Sequence, residues 1–306
     1  MNSSGSIKYL TQQQIDKTKW DACIDQSSQP LIYAYSFYLD AMAKQWDALV
    51  LNDYEAVMPL TWNKKYGIHY LYQPFCCALL GVFGHAVTPS LLEHFIGQIP
   101  KKFLYLDICF NPGNSITNSS IDHYTRKNFI LNLARPYDEI YAGFSDNIKR
   151  NIKKAERLNC SVCKPALAEI LQLASLQMQA FTKVKADDFE RFSALYHVLE
   201  EKNAAVAYGI VSAEGRLLSS CVFFNWQNRW YYILAGNHPE SKSTGASHAL
   251  INAFIKERAA TNCILDFEGS DIASLALFYS SFGAAEEQYP AIRQNRLPML
   301  LRWLKK

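Results

Sequence analysis

The residues best suited to chemistry stand between Lys242 and Tyr279. Lys242-Ser243-Thr244-Gly245-Ala246-Ser247 lies between an apolar strand pattern, Trp230 to Ala235, and an amphipathic helix pattern, Ser247 to Ala260. The first N–H groups of a helix have no partner within it, and the helix dipole favours an anion at that mouth. Gly245 removes the Cβ that would block a phosphate from the backbone, and Lys242 adds a cation. The six residues therefore read as a phosphate-binding junction. Beyond the helix, Cys263-Ile264-Leu265-Asp266-Phe267 is a short buried-strand pattern, and it delivers two carboxylates, Asp266 and Glu268, to one end of the strand. Tyr279 follows on a helix pattern running from Ala273 to Phe282.

Composition limits what these residues can belong to. With 306 residues the chain is long enough for two domains. Lys and Arg number 31 against 28 Asp and Glu, a mild positive balance that is compatible with phosphate-bearing ligands and does not demand nucleic acid. Met1 to Lys8 is polar and is not read as a signal peptide. The longest apolar stretch, Phe75 to Val87, is too short to span a bilayer. Of the eight cysteines, Cys160 and Cys163 alone have ligand-like spacing, and no second pair completes a structural zinc set. The thiols read as reduced, the location as cytoplasmic, and no metal is expected.

The halves of the chain repeat one pattern. Val57 to Lys65 leads to Tyr70-Leu71-Tyr72, and Cys221 to Arg229 leads to Tyr231-Tyr232. Each pair reads as strand, polar turn and aromatic strand. A helix pattern follows in each, Ser90 to Gln98 and Ser247 to Ala260, and then a strand holding an aspartate, Asp107 or Asp266. Two copies of so long a unit suggest domain duplication. Trp62 is expected to match Trp226, and Asp107 to match Asp266. The first copy has no Lys/Arg-x-x-Gly-x-Gly/Ser before its helix. It is expected to lack the phosphate site and to shape the other side of a cleft between domains.

Residues 242–247 resemble the acyl-CoA loop of the GNAT N-acyltransferases, in which Arg/Gln-x-x-Gly-x-Gly/Ala grips the CoA pyrophosphate; Lys242 and Ser247 depart from that pattern. Phe278 to Ala284 resembles the family's Tyr-x-x-x-Gly-Phe segment, matched by Tyr279 and Gly283, with Ala284 in place of Phe. Between the halves, Ser145 to Arg157 is a helix pattern with Ile148, Ile152 and Ala155 on one side and Lys149, Arg150, Lys153, Lys154 and Arg157 around the rest. It resembles the basic helix that opens the second domain of Fem-type peptidoglycan aminoacyltransferases, which carry two GNAT-like domains in one chain.

The resemblance implies an α/β (α+β) fold of two tandem GNAT-like domains, each a mixed, mostly antiparallel sheet flanked by helices. The domains are expected at 1–140, without CoA, and at 145–306, with the CoA loop. It further implies an N-acyltransferase that moves an acyl group from acyl-CoA to an amine acceptor in the inter-domain cleft. Lys242, Ser243, Thr244, Gly245, Ala246 and Ser247 would bind the pyrophosphate. Glu268 is the candidate base, or a surface carboxylate on a turn; Asp266 orients a ligand or bonds neighbouring backbone; Tyr279 serves the departing thiolate, or is a core aromatic. Two alternatives stay open: a Fem-type transferase that takes its aminoacyl group from tRNA for a peptidoglycan precursor, and a binding module without turnover.

Overall fold

The computed structural model describes residues 5–179, 184–269, 271–299 and 302. The chain divides into two compact units: Met1–Arg126 with Gln288–Lys306, and Lys127–Glu287. The division falls ahead of the expected break between 140 and 145, and the C-terminal strand returns to the first unit.

Unit 1 runs β1 (Ile7–Leu10), α1 (Lys17–Asp25), α2 (Ser36–Met42), β2 (Gln45–Leu51), β3 (Ala56–Lys65), β4 (Ile68–Leu71), β5 (Phe83–Gly84), α3 (Pro89–Gly97) and β6 (Phe103–Cys109). Unit 2 takes most of β7 (Tyr124–Asn132), then α4 (Tyr137–Ala142), α5 (Asp146–Arg157), β8 (Ser161–Cys163), α6 (Leu167–Gln179), α7 (Ala186–Glu201), β9 (Ala205–Val211), β10 (Leu217–Trp226), β11 (Arg229–Asn237), α8 (Ser241–Thr244), α9 (Ala246–Arg258), β12 (Ile264–Asp266) and α10 (Ala273–Ser280). β13 (Ala285–Asn295) joins the sheet of unit 1.

The two units share one topology. In unit 1, β2, β3 and β4 are antiparallel neighbours, β4 lies parallel to β6, and β6 lies antiparallel to β13. In unit 2, β9, β10 and β11 are antiparallel, β11 lies parallel to β12, and β12 lies antiparallel to β7. A parallel pair needs a crossover, which α3 provides in one unit and α9 in the other. Both hairpins turn through two residues of positive φ, Tyr66-Gly67 and Gln227-Asn228, the backbone that suits the twist of the flanking strands. Each unit is thus a mixed, mostly antiparallel sheet with helices on its faces.

Register corrects the residue matches. Lys65 and Trp226 both end their strands at the turn, so Trp62, three residues earlier, corresponds to Phe223. Tyr70 and Tyr231 stand third after the turn; Tyr70 pairs with Tyr105 and Tyr231 with Asp266. Asp107 is therefore two residues out of step with Asp266. A shift of two keeps the side chain on the same face, which is why the pattern looked aligned.

The core of unit 2 lies between α9 and its sheet. Leu250, Ile251, Phe254 and Ile255 recur at helical spacing and are fully buried. Phe254 stacks on Phe223 with ring centroids 3.7 Å apart, and burying one such ring contributes roughly 1.5–3 kcal/mol. β10 is buried from Leu218 to Phe224, as a central strand covered on both faces must be. α5 is held by Ser145, whose hydroxyl accepts from the Ile148 amide, and by Ile148, Ile152 and Ala155 on its buried side. All eight cysteines, Cys160 and Cys163 among them, are free thiols. Among the described residues, no helix is long and apolar enough to cross a membrane.

Candidate active site

β11 and β12 touch over only three residue pairs, Arg229 with Ile264, Trp230 with Leu265 and Tyr231 with Asp266. Beyond them β12 stays with β7, since the Phe267 amide donates to the Phe129 carbonyl at 2.9 Å. β11 meanwhile continues along β10 to Asn237. The two parallel strands therefore part at their carboxyl ends, where open α/β sheets hold ligands. The predicted phosphate junction follows β11 out of this gap, and Glu268 follows β12.

The junction is more ordered than the sequence suggested. Ser241–Thr244 forms a single helical turn, ended by Gly245 in the left-handed region at φ +80°. Gly245 is also the residue from which α9 starts, and no side chain caps that start. The amides of His248 and Ala249 both donate to the Gly245 carbonyl, so those of Ala246 and Ser247 are the donors left at the helix mouth. Lys242 and Ser243 are exposed, Thr244 and Ser247 are half-buried, and Gly245 and Ala246 are buried. A Cβ on Gly245 would fall inside contact distance of the Asn151 carbonyl oxygen and 3.0 Å from its carbon. The glycine is thus required first by its backbone conformation and by the approach of α5.

That approach brings the basic helix to the junction. Asn147, Asn151 and Lys154 share one face of α5, being spaced by four and three residues. Arg150, Lys153 and Lys154 are exposed and form no ion pair among the described residues; Lys242 is in the same position. The Asn151 backbone is what α5 brings to a helix start that favours an anion, and Lys154 shares the Asn151 face.

Asp266 is buried, with one oxygen hydrogen-bonded and the other in an ion-pair contact that lacks hydrogen-bond geometry. Its Oδ2 lies 2.8 Å from Nε of Arg229, and its Oδ1 accepts the Glu268 amide at 2.8 Å. Arg229 also faces Glu287 at 3.2 Å. Glu268 itself adopts φ +67°, a conformation that costs a non-glycine residue roughly 1–3 kcal/mol unless its surroundings hold it. The carboxylate of Asp266 accepts its amide here. Ser270 lies outside the described residues.

Tyr279 sits in the core of unit 2. Its ring stacks on Phe267 at 4.8 Å and meets Phe129, Tyr232 and Phe278. Its hydroxyl has no hydrogen-bond partner among the described residues. Burial holds the phenol above its ordinary pKa, and the nearby Cys221 thiol and Glu268 carboxylate push the same way. The group therefore stays protonated at neutral pH and feels the charge on Glu268. Gly283, at φ +77°, closes α10 just beyond.

Sequence reasoning missed Arg229, His248, Cys221 and Tyr232. Arg229 had a signal, a cation opening an otherwise apolar aromatic strand. His248 stands in the first turn of α9, edge-on to Phe278 at 5.0 Å, with Nδ1 buried and without a hydrogen-bond partner. Burial lowers its pKa to about 4. Cys221 and Tyr232, both buried in the same core, read from sequence as ordinary strand residues.

Comparison with solved structures fixes the fold. FemX matches with a TM-score of 0.62 at 12% identity, covering 98% of this chain and 100% of its own. This is a tandem GNAT fold. A tandem GNAT protein from the clavulanic acid biosynthesis pathway matches with a TM-score of 0.54 at 10% identity, covering 96% of this chain and 99% of its own. A conserved protein of unknown function from Bacteroides thetaiotaomicron VPI-5482 matches at 0.56 and 10%, covering 94% and 100%. No protein-family model matches the sequence, and no curated protein matches it.

Proposed function

We propose that the chain is an N-acyltransferase that uses acyl-CoA as donor and an amine as acceptor, with its donor site in unit 2. The observation that carries this reading is the uncapped start of α9, which follows β11 beyond the point where β11 and β12 part, with Lys242 in the turn before it and α5 against Gly245. The amides of Ala246 and Ser247 would meet the pyrophosphate, and the acyl arm would enter the gap toward Tyr279. Lys242, Ser243 and Thr244 would line the phosphate from α8, with Gly245 shaping the bend.

In the proposed reaction the amine nitrogen bonds to the thioester carbonyl carbon and the carbon–sulfur bond breaks. Glu268 takes a proton from the amine, and Tyr279 gives one to the departing thiolate. Water returns the first proton to the tyrosine. Holding the amine against the thioester supplies much of the acceleration. Asp266 and Arg229 position Glu268 through its backbone and touch no reacting atom. A cytoplasmic location, where acyl-CoA is made and thiols stay reduced, fits the eight free cysteines.

The exposed cations of α5 favour a second reading, an aminoacyl-tRNA donor, because such a row also suits a polyanion. Titration calorimetry with CoA and acetyl-CoA separates the two. Micromolar CoA binding, with thiol release on an amine panel, supports the first reading. Failure to bind CoA, with retention on immobilised aminoacyl-tRNA, supports the second. CoA binding without thiol release on any amine favours a binding module.

A further inference from the structure

The amino end of β6 in unit 1 borders a cavity of about 650 Å³. Among the described residues, its lining belongs wholly to that unit. Aliphatic side chains make its apolar part: Ile96 and Ile99 from the end of α3 and the turn after it, Leu104 from β6, and Ile121 from the loop before β7. No aromatic ring lines it among the described residues. Walls of this kind suit an alkyl chain, whose burial is favourable in proportion to its length.

The polar part carries two cations and one anion, Arg296, Lys101 and Glu93. The Arg296 amide donates to the Leu104 carbonyl at 2.8 Å, which holds the residue beside the start of β6. Its guanidinium is half-buried and meets only Gln294, whose Oε1 accepts from Nε at 3.2 Å and from Nη2 at 2.8 Å. Nη1 and the second proton of Nη2 face no acceptor among the described residues, so the far edge of the fork stays open. Burial pushes this guanidinium below its ordinary pKa, and no carboxylate offsets that. Lys101 is exposed and forms no ion pair among the described residues. Glu93 turns to the loop instead: its Oε1 accepts the Thr117 amide and hydroxyl and the Asn118 amide, at 3.1, 3.2 and 2.8 Å. The last carbonyls of α3, which would repel an anion, are taken as well, those of His94, Phe95 and Ile96 by the amides of Gln98 and Ile99. Positive charge is thus in excess beside an aliphatic wall.

We infer that this cavity in unit 1 binds a small aliphatic carboxylate, its two oxygens accepting from Arg296 and its alkyl chain lying against Ile96, Ile99, Leu104 and Ile121. A carboxylate matches two parallel N–H groups at the open edge of a guanidinium, and Lys101 adds attraction without a fixed geometry. The inference does not rest on the acyl-transfer reading, which concerns unit 2.

Octanoate, 1-octanol and hexanoate test it on the full chain by titration calorimetry and ligand-observed NMR. Octanoate should bind, with 1-octanol weaker by about tenfold or more, since only the charged head pairs with the guanidinium. Hexanoate should also be weaker by about tenfold, the loss of two buried methylenes. Gly97 lines the cavity at the end of α3, where an added Cβ meets open space, so Gly97→Phe crowds the site without straining the helix. Gly97→Phe and Arg296→Gln should each weaken octanoate by about tenfold or more, and Gly97→Phe should leave CoA affinity unchanged. Circular dichroism monitors folding, and Lys101→Glu, at an exposed position, replaces the Arg296 variant if that variant unfolds, with an expected loss of about threefold. Equal binding of octanoate and 1-octanol, no octanoate binding at millimolar concentration, or unchanged octanoate affinity in the folded variants would overturn the inference. CoA binding, measured on the same samples, reports separately on unit 2.

Discussion

Replacing Tyr279 by Phe separates a catalytic phenol from a packing ring, because the two roles predict opposite signs for stability and activity. The ring contacts with Phe267, Phe129 and Tyr232 survive the change. What disappears is a hydroxyl with no partner among the described residues. Removing an unsatisfied polar group is neutral or stabilising, here by up to about 1 kcal/mol. If the phenol protonates the thiolate, turnover should fall about 10²–10⁴-fold, which corresponds to roughly 3–5 kcal/mol of transition-state stabilisation. CoA affinity should hardly change, since the interaction matters in the transition state. Urea denaturation reads the first quantity, thiol release with an amine acceptor the second and calorimetry the third. A variant that is less stable by more than 1 kcal/mol and still turns over fully would refute the catalytic role and leave Tyr279 as a core aromatic.

The remaining predictions rest on single contacts. Gly245→Ala combines a left-handed backbone with a clash against α5, so it should cost about 2–4 kcal/mol in urea denaturation; an unchanged midpoint would mean that α5 does not seat there. Asp266→Asn keeps an oxygen for the Glu268 amide but removes the charge facing Arg229, and should destabilise by about 1–3 kcal/mol. Adding Arg229→Met should recover part of that loss, and additive losses would argue against the pair. His248 has a folded pKa of about 4 against 6.5 in the unfolded chain, so the unfolded state binds more protons between those values. Its contribution, about 3 kcal/mol, is present above pH 6.5 and is lost as pH falls through 4; His248→Phe should flatten stability over that window, and an unaltered pH slope would contradict the burial argument.

Elements whose pattern repeats over a few residues were legible in the sequence. Trp230 to Ala235, Ser247 to Ala260 and Ala273 to Phe282 were expected as strand, helix and helix, and β11, α9 and α10 lie there. Their spacing follows from the side chains each must bury, which are near in sequence. The single turn of α8 was not legible, because a four-residue turn leaves no period. The role of Asp266 was not legible either: its partner Arg229 comes from another strand, and only parallel pairing of β11 with β12 brings them together. Gly245 was expected to let a phosphate approach the backbone, and the contact with the Asn151 carbonyl of α5 was not legible, because it joins residues far apart in the chain. Register was the least visible property, since a shift of two residues between Asp107 and Asp266 preserves every face.

The two crossover helices start differently although the units share one topology. At the start of α3, Pro89 has no N–H and the Thr88 hydroxyl accepts the Leu91 amide at 3.2 Å. Capping of this kind stabilises a helix by about 1 kcal/mol, and it removes the donors an anion would need. The start of α9 has a glycine in place of the threonine, no proline and no side-chain cap. That helix forgoes the stabilisation, so its first amides stay open to a phosphate. On this argument a Thr88→Gly, Pro89→Ala variant would open donors on α3 without creating a CoA site, because neither a basic helix nor a lysine turn flanks its start. CoA binding to unit 1 in that variant, measured with the unit 2 junction disabled by Lys242→Glu and Lys154→Glu, would show that an open helix start suffices and that the cations around α9 are incidental.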